Sequence, residues 1–162
     1  MFGRRVRKTD IRVAAYGAVD ELNAALGLAR AANSDARLAD ALLTAQRDLI
    51  AVMGELATVE EDLQRYTDGG YSVLSESSIE SLEKLTHQIE ADCPPIREWI
   101  IPGGTEVGAR LHFARTVCRR AERAVLALYE TLEEPVGENR LTRYLNRLGD
   151  ALWAMALSLE RG

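Results

Sequence analysis

The chain has 162 residues, 47% of them apolar and 28% charged, with a net charge of −5. That length supports one domain, residues 1–162, with a real core, and the acidic balance argues against a general nucleic-acid binder. No apolar run is long enough for a membrane span, no signal-peptide pattern is visible, and Cys93 and Cys118 lack motif spacing, as fits reduced thiols in a cytoplasmic protein. Lys8 and Lys84 are the only lysines. Reliance on arginine leans towards fixed, bidentate anion contacts, although genome composition produces the same bias. His87 and His112 are the only histidines, and neither has the spacing of a zinc motif.

Residues 1–11 read as a charged loop around Gly3. Helical periodicity follows over residues 12–33, with Val19, Leu22, Leu26 and Ala29 on the inward stripe. A second row, Tyr16, Asp20, Asn23 and Gly27, lies beside it and places a carboxylate next to the core face; a solvated flank residue is the plain alternative. Asn33-Ser34-Asp35 is a turn. The spacing predicts a second helix over 37–58, with Leu38, Leu42, Leu49, Val52, Met53 and Leu56 inward. Residues 60–71 are polar, contain Gly69-Gly70 and are expected to be a connecting loop. Ser77 with Glu80 has capping-box spacing for a third helix reaching about residue 92. Its inward residues are Ile79, Leu82, Leu85 and Ile89, and Cys93-Pro94-Pro95 ends it.

Trp99-Ile100-Ile101 is apolar and is broken sharply by Pro102-Gly103-Gly104. A glycine turn opening a helix lets a backbone approach a phosphate, but without the rest of a Walker-type motif that signal is not specific. The longest helix is expected over 105–132. Ala114, Val117, Cys118, Ala121 and Val125 form its apolar stripe, and one residue-step round the helix stand His112, Arg115, Arg119 and Glu122. Guanidiniums do not give up their charge, so two of them beside a core stripe call for an anion. Arg120 and Arg123 read equally well as solvated or as paired with a glutamate one turn away, and His112 reads as a packed helix residue rather than a catalytic one. Pro135 and Gly137 break the chain. A fifth helix over 138–160 has Leu141, Leu145, Leu148, Leu152 and Met155 inward, with Asn146 and Asp150 as a polar pair off that stripe. No strand pattern or repeat is present. The expected fold is all-α, an antiparallel five-helix bundle. Apolar and arginine-rich positions outside the single stripes suit a second buried face, hence a homo-oligomer.

Three stretches together resemble a known family. Arg5-Val6-Arg7-Lys8-x-Asp10-x-Arg12-x-x-Ala15-Tyr16-Gly17-x-Val19-Asp20-Glu21-Leu22-Asn23 is similar to the first signature of the ATP:cob(I)alamin adenosyltransferases of the propanediol-utilisation class. Ile101-Pro102-Gly103-Gly104, followed by Leu111-His112-x-Ala114-Arg115-x-x-x-Arg119-Arg120-Ala121-Glu122-Arg123, is similar to the second. Tyr144-Leu145-Asn146-Arg147-Leu148-x-Asp150 is similar to the third. The likeness runs through nearly the whole chain in order and spacing.

That resemblance implies a ferritin-like trimer of five-helix bundles with active sites between subunits. The implied reaction is transfer of the 5′-deoxyadenosyl group of ATP to Co(I) of a reduced corrinoid, giving adenosylcobalamin and triphosphate. ATP, magnesium and cobalamin are the implied ligands, and a B12-dependent enzyme is an implied recipient of the product. By resemblance, Arg119 contacts the triphosphate, and Arg115 either does the same or pairs with Asp20 of the partner subunit. Lys8 adds a phosphate contact, Asn146 contacts the nucleotide, and Glu122 orients the arginines. Trp99 stands where the family commonly has Phe, an aromatic associated with excluding the corrinoid's lower ligand; a tryptophan closing the bundle end is the alternative. Leu157 stands where the family often has Arg. The family also implies a Thr-Gly-Asp-x-Gly-x-Thr phosphate segment ahead of Arg5, whereas this sequence opens at Met1-Phe2-Gly3. A trimer that binds corrinoid or nucleotide without turnover, or an N-terminally truncated inactive form, therefore stands as the second reading.

Overall fold

The structure is a computed structural model and describes residues 2–3, 5–93, 99–132 and 139–160. It is all-helical, with no strand among the described residues. The helices are α1 (Ile11–Ala32), α2 (Ala36–Leu56), α3 (Leu63–Asp68), α4 (Glu76–Asp92), α5 (Glu106–Thr131) and α6 (Arg140–Glu160), with a single 3-10 turn at Glu60–Asp62. None is long and apolar enough to cross a membrane. Five are the long helices that periodicity announces. The breaks expected at Pro94-Pro95 and at Pro135 and Gly137, and a start of the last helix at residue 138, lie outside the described residues.

The packing order follows from the short connections. The turn 33–35 leaves α2 room only to return antiparallel along α1. Asn33 braces that turn by donating to the Asp35 carbonyl at 2.6 Å, while the Asp35 side chain caps α2 by accepting from the Leu38 amide at 2.8 Å. Helix α1 packs on α2 and α5, and α6 packs on α5 and α4. The shared core is built from small and branched residues, among them Ala15, Val19 and Leu22 of α1, Ala114, Cys118 and Ala121 of α5, and Leu145, Leu148 and Leu152 of α6, all buried. Cys118 locks α5 to α6: its thiol donates to the Leu145 carbonyl at 3.2 Å, and burial pushes its pKa up to about 12. Such a thiol stays protonated and unreactive.

The polar stretch 60–71 is not a loop. It holds the 3-10 turn and α3, whose six residues are too few to show a period in sequence. One aromatic organises it. Tyr66 is buried, donates to the Ser72 carbonyl at 2.7 Å and stacks on Tyr71 with centroids 5.0 Å apart. It lies against Gly54 of α2, where a Cβ would collide with its hydroxyl. Phe2 meets Tyr71 edge-on and is covered by the Arg65 guanidinium at 4.4 Å, so α3 also fastens the start of the chain. The cap of α4 also differs from the expected Ser77–Glu80 box. Ser75, in extended conformation, accepts from the Ser78 amide at 3.2 Å, and the helix begins two residues earlier.

Two side chains tie the bundle ends together. Arg12, an unexplained member of the first motif, donates to the carbonyls of Leu56 at 2.8 Å and Thr58 at 3.2 Å, neutralising the negative end of α2. Glu55, mostly buried, accepts from the Leu74 amide at 2.7 Å and from Arg140 at 2.6 Å, joining α2, the α3–α4 link and α6. Glu55→Ala strips both donors of their acceptor, and its unfolding free energy in urea is expected to fall by about 1–3 kcal/mol; an unchanged midpoint would mean that these contacts do not brace the bundle.

Candidate functional site

The second stripe of α5 occupies the edge where that helix leaves the core. Arg115 and Arg119 are one turn apart, and Glu122 follows a turn later. The structure treats the stripe's members differently. His112, at 3% exposure, belongs to the interior. Arg115 is half-buried, Arg119 is exposed and Glu122 is half-buried. Of the two guanidiniums beside the core stripe, only Arg115 is half-buried.

Trp153 of α6 explains how Arg115 is held. The Arg115 guanidinium lies over the indole, 5.3 Å from its centroid, and His112 meets the same ring edge-on at 5.5 Å and 65°. The ring faces supply electrostatic attraction to the cation without neutralising it. Neither imidazole nitrogen of His112, nor Nε of Arg115, has a hydrogen-bond partner among the described residues. Burial, then the Arg115 charge, pushes the His112 pKa below its ordinary value, so the ring is neutral at pH 7. His112 is thus a packed helix residue beside a cation, as its position on the flank of the core stripe permits.

Around this centre the other predicted residues divide. Glu122 and Asn146 are brought together: the Asn146 side-chain amide donates to Glu122 Oε1 at 3.2 Å, which joins the second motif to the third. Asp150 is not part of that contact and stands instead 3.5 Å from Arg147 on its own helix. Asp20 is exposed on α1 and makes no hydrogen bond or ion pair among the described residues, so one chain does not bring it to Arg115. Arg119 likewise has no anionic partner among the described residues. Its sequence neighbour Arg120 does: it reaches across to Glu21 of α1 at 2.7 Å rather than to a glutamate one turn away. Lys8 is exposed in the turn preceding α1, and Arg123 is exposed.

Two of the alternatives weighed for residues 99–104 do not match the structure. Trp99 does not close the bundle end; its side chain is 99% exposed, and Ile101 is 85% exposed. The glycine turn does not present free amides for a phosphate, because the Glu160 carboxylate of α6 occupies it, accepting from Gly103 and Gly104. Sequence reasoning missed Trp153 and Glu160. Both sit on α6, far along the chain from their partners, and no local spacing rule connects them. Among the described residues no group of three or more His, Cys, Asp or Glu side chains could hold a metal ion.

Similar proteins identify the family. The family model for cobalamin adenosyltransferases matches residues 1–159. A corrinoid adenosyltransferase of Citrobacter freundii is 40% identical over 154 residues, covering 95% of this chain and 84% of its own. The corrinoid adenosyltransferase PduO of Salmonella typhimurium is 41% identical over 157 residues, covering 95% of this chain and 44% of that longer protein. Among solved structures, a variant of the PduO-type ATP:corrinoid adenosyltransferase from Lactobacillus reuteri, complexed with cobalamin and ATP, superimposes with a TM-score of 0.83 at 32% identity, covering 99% of this chain and 87% of that one. A second variant of that protein, complexed with ATP, gives the same score.

The buried imidazole sets a pH dependence. Its pKa is lowered in the fold from the unfolded value near 6.5, so protonation favours the unfolded chain. The stability tied to His112 is therefore complete above about pH 6.5 and is lost as the pH falls from there through the lower folded value. Urea unfolding of wild type and His112→Phe at pH 7.5 and pH 5.5 checks this: the wild type should lose more stability than the variant over that interval, and equal losses would contradict a neutral buried ring.

Proposed function

The chain belongs to the cobalamin adenosyltransferase family, and we propose on that premise that it transfers the 5′-deoxyadenosyl group of ATP to Co(I) of a reduced corrinoid. The cobalt lone pair attacks C5′ of the ribose, a Co–C bond forms, the C5′–O bond breaks, and the electron pair leaves with triphosphate. The substrate supplies the nucleophile and no proton moves, so the chain needs no nucleophilic or basic side chain. Its task is to hold C5′ in line with cobalt and to stabilise the charge that builds on the leaving group.

One observation carries the residue assignment. Arg120 is matched by Glu21, while Arg119 on the adjacent stripe is exposed with no carboxylate partner among the described residues. A fixed cation left unmatched beside an ordered edge is what a polyphosphate site requires. Arg119 would take the triphosphate, with Lys8 adding a second phosphate contact. Arg115, held by Trp153, would pair with Asp20 of the partner subunit. Glu122 would fix the Asn146 amide so that Asn146 meets the nucleotide. Trp99 would face the corrinoid and discourage its lower ligand. Magnesium would enter on the phosphate oxygens, where a hexacoordinate cation keeps its waters and uses few protein ligands.

This arrangement rests on a homotrimer of single-domain chains, with each site completed by a neighbour. The exposed Leu28 and Phe113, on the two helices that also carry Asp20 and Arg119, supply apolar surface for such a contact. A cytoplasmic location and delivery of the product to a B12-dependent enzyme fit the same reading. In an anaerobic assay with reduced cobalamin and MgATP, wild type should form a Co–C bond, detected by absorbance. Arg119→Ala should lose at least about 10²-fold in kcat while keeping its helical circular dichroism. No product from wild type would refute the adenosyltransferase reading, and a variant that unfolds would make Arg119 structural. Light scattering should report three chains per particle; a monomer would refute sites shared between subunits.

A further inference from the structure

The positive end of α5 already has an anion. Gly103 donates its amide to Glu160 Oε1 at 3.2 Å and Gly104 donates to Glu160 Oε2 at 2.6 Å. These are charge-assisted bonds at a helix N-terminus, where a carboxylate is favoured by the backbone dipoles. The surroundings are shaped to the carboxylate. A Cβ at Gly104 would collide with Oε2, and one at Gly108 would come within 2.6 Å of Oε1 and 2.7 Å of the capping Thr105 hydroxyl. Gly103 has a φ of +122°, a conformation that other residues rarely adopt. Glycines at 103, 104 and 108 thus leave room for one side chain from the other end of the sequence.

The loop that this contact holds carries Trp99 and Ile101, exposed at 99% and 85%. Burial does not fix either residue. Among the described residues, Glu160 provides the only hydrogen bonds that reach residues 99–104.

We propose that Glu160 is a positioning residue: its carboxylate clamps the loop 99–104 to the end of α6 and so fixes where Trp99 stands towards the corrinoid. The inference deepens the adenosyltransferase reading and rests on it for the identity of the ligand that Trp99 meets. The clamp acts on the corrinoid side, because Arg119 on α5 and Asn146 on α6 each lie about 20 Å along their helices from the clamped ends, and Lys8 precedes α1. Releasing it should therefore separate the two substrates kinetically.

The test uses the full chain, wild type and three variants. Glu160→Ala removes the acceptor, and Gly104→Ala expels it from the opposite side with Glu160 intact. Each should raise KM for reduced cobalamin about tenfold while KM for ATP stays within about twofold. The double variant should be no worse than either single one, because both break one contact. Glu160→Gln, which keeps an acceptor oxygen, should recover part of the loss. A second readout needs no turnover. In protein labelled with 5-fluorotryptophan, assigned with Trp99→Phe, the Trp99 fluorine resonance should narrow in Glu160→Ala as the loop is released, while the Trp153 resonance stays broad and dispersed. Equal rises in both KM values, an unchanged corrinoid KM, additive losses in the double variant or an unchanged Trp99 line width would each overturn the clamp. If wild type forms no adenosylcobalamin, the adenosyltransferase reading fails, and the fluorine spectra decide the clamp alone.

Discussion

A guanidinium stays charged wherever the fold places it, and the edge of α5 is arranged around that constraint. Three arginines within six residues are treated in three ways. Arg120 is matched by a carboxylate of the adjacent helix at 2.7 Å. Arg115 lies over an indole face at 5.3 Å, an interaction that orients the cation and leaves its charge unneutralised. Arg119 stands in solvent. Among the described residues a single chain thus carries positive charge that no carboxylate compensates, on the helix that also supplies the centre of its core. An anionic substrate and the Asp20 carboxylate of the partner subunit are the complements that the proposed site supplies. Ligand binding and assembly are in this view two answers to one electrostatic demand.

The opposite end of α5 shows the same economy with the sign reversed. A helix N-terminus opened by glycines is a ready anion site, and here the chain fills it with Glu160. In the proposed site the phosphates fall to the arginine stripe rather than to the glycine turn. The turn beside the exposed Trp99 is tied to α6. His112 lies between the two ends of this system. Burial and the nearby Arg115 charge favour its neutral form, and the Glu160 charge opposes them more weakly.

The long helices were legible because each buries one stripe at helical spacing. Val19, Leu22 and Leu26 of α1 and Leu145, Leu148 and Leu152 of α6 are buried as their period requires. The turn at 33–35 and the breaks around Gly103-Gly104 followed from local chemistry. The short α3 did not, because six residues give no period and its anchor is one tyrosine packed on a glycine of another helix. In the site, the stripe of α5 was legible as a row of charges. Its division into buried His112, oriented Arg115 and exposed Arg119 was not. That division is set by Trp153 and by neighbouring helices, which local spacing does not see. Glu160 was hidden for the same reason: its partners lie more than fifty residues away. The resemblance to a known family supplied what spacing lacked, namely the identity of the anion.

Arg119, free of carboxylate partners among the described residues, is the proposed triphosphate contact. Calorimetric titration of inorganic tripolyphosphate into wild type and Arg119→Gln, at two salt concentrations and with magnesium present, tests it without any need for catalysis. The account predicts at least about tenfold weaker binding in the variant, equivalent to about 1.4 kcal/mol, and a shallower salt dependence because one cationic contact is lost. Equal affinity and equal salt dependence in the two proteins would contradict it.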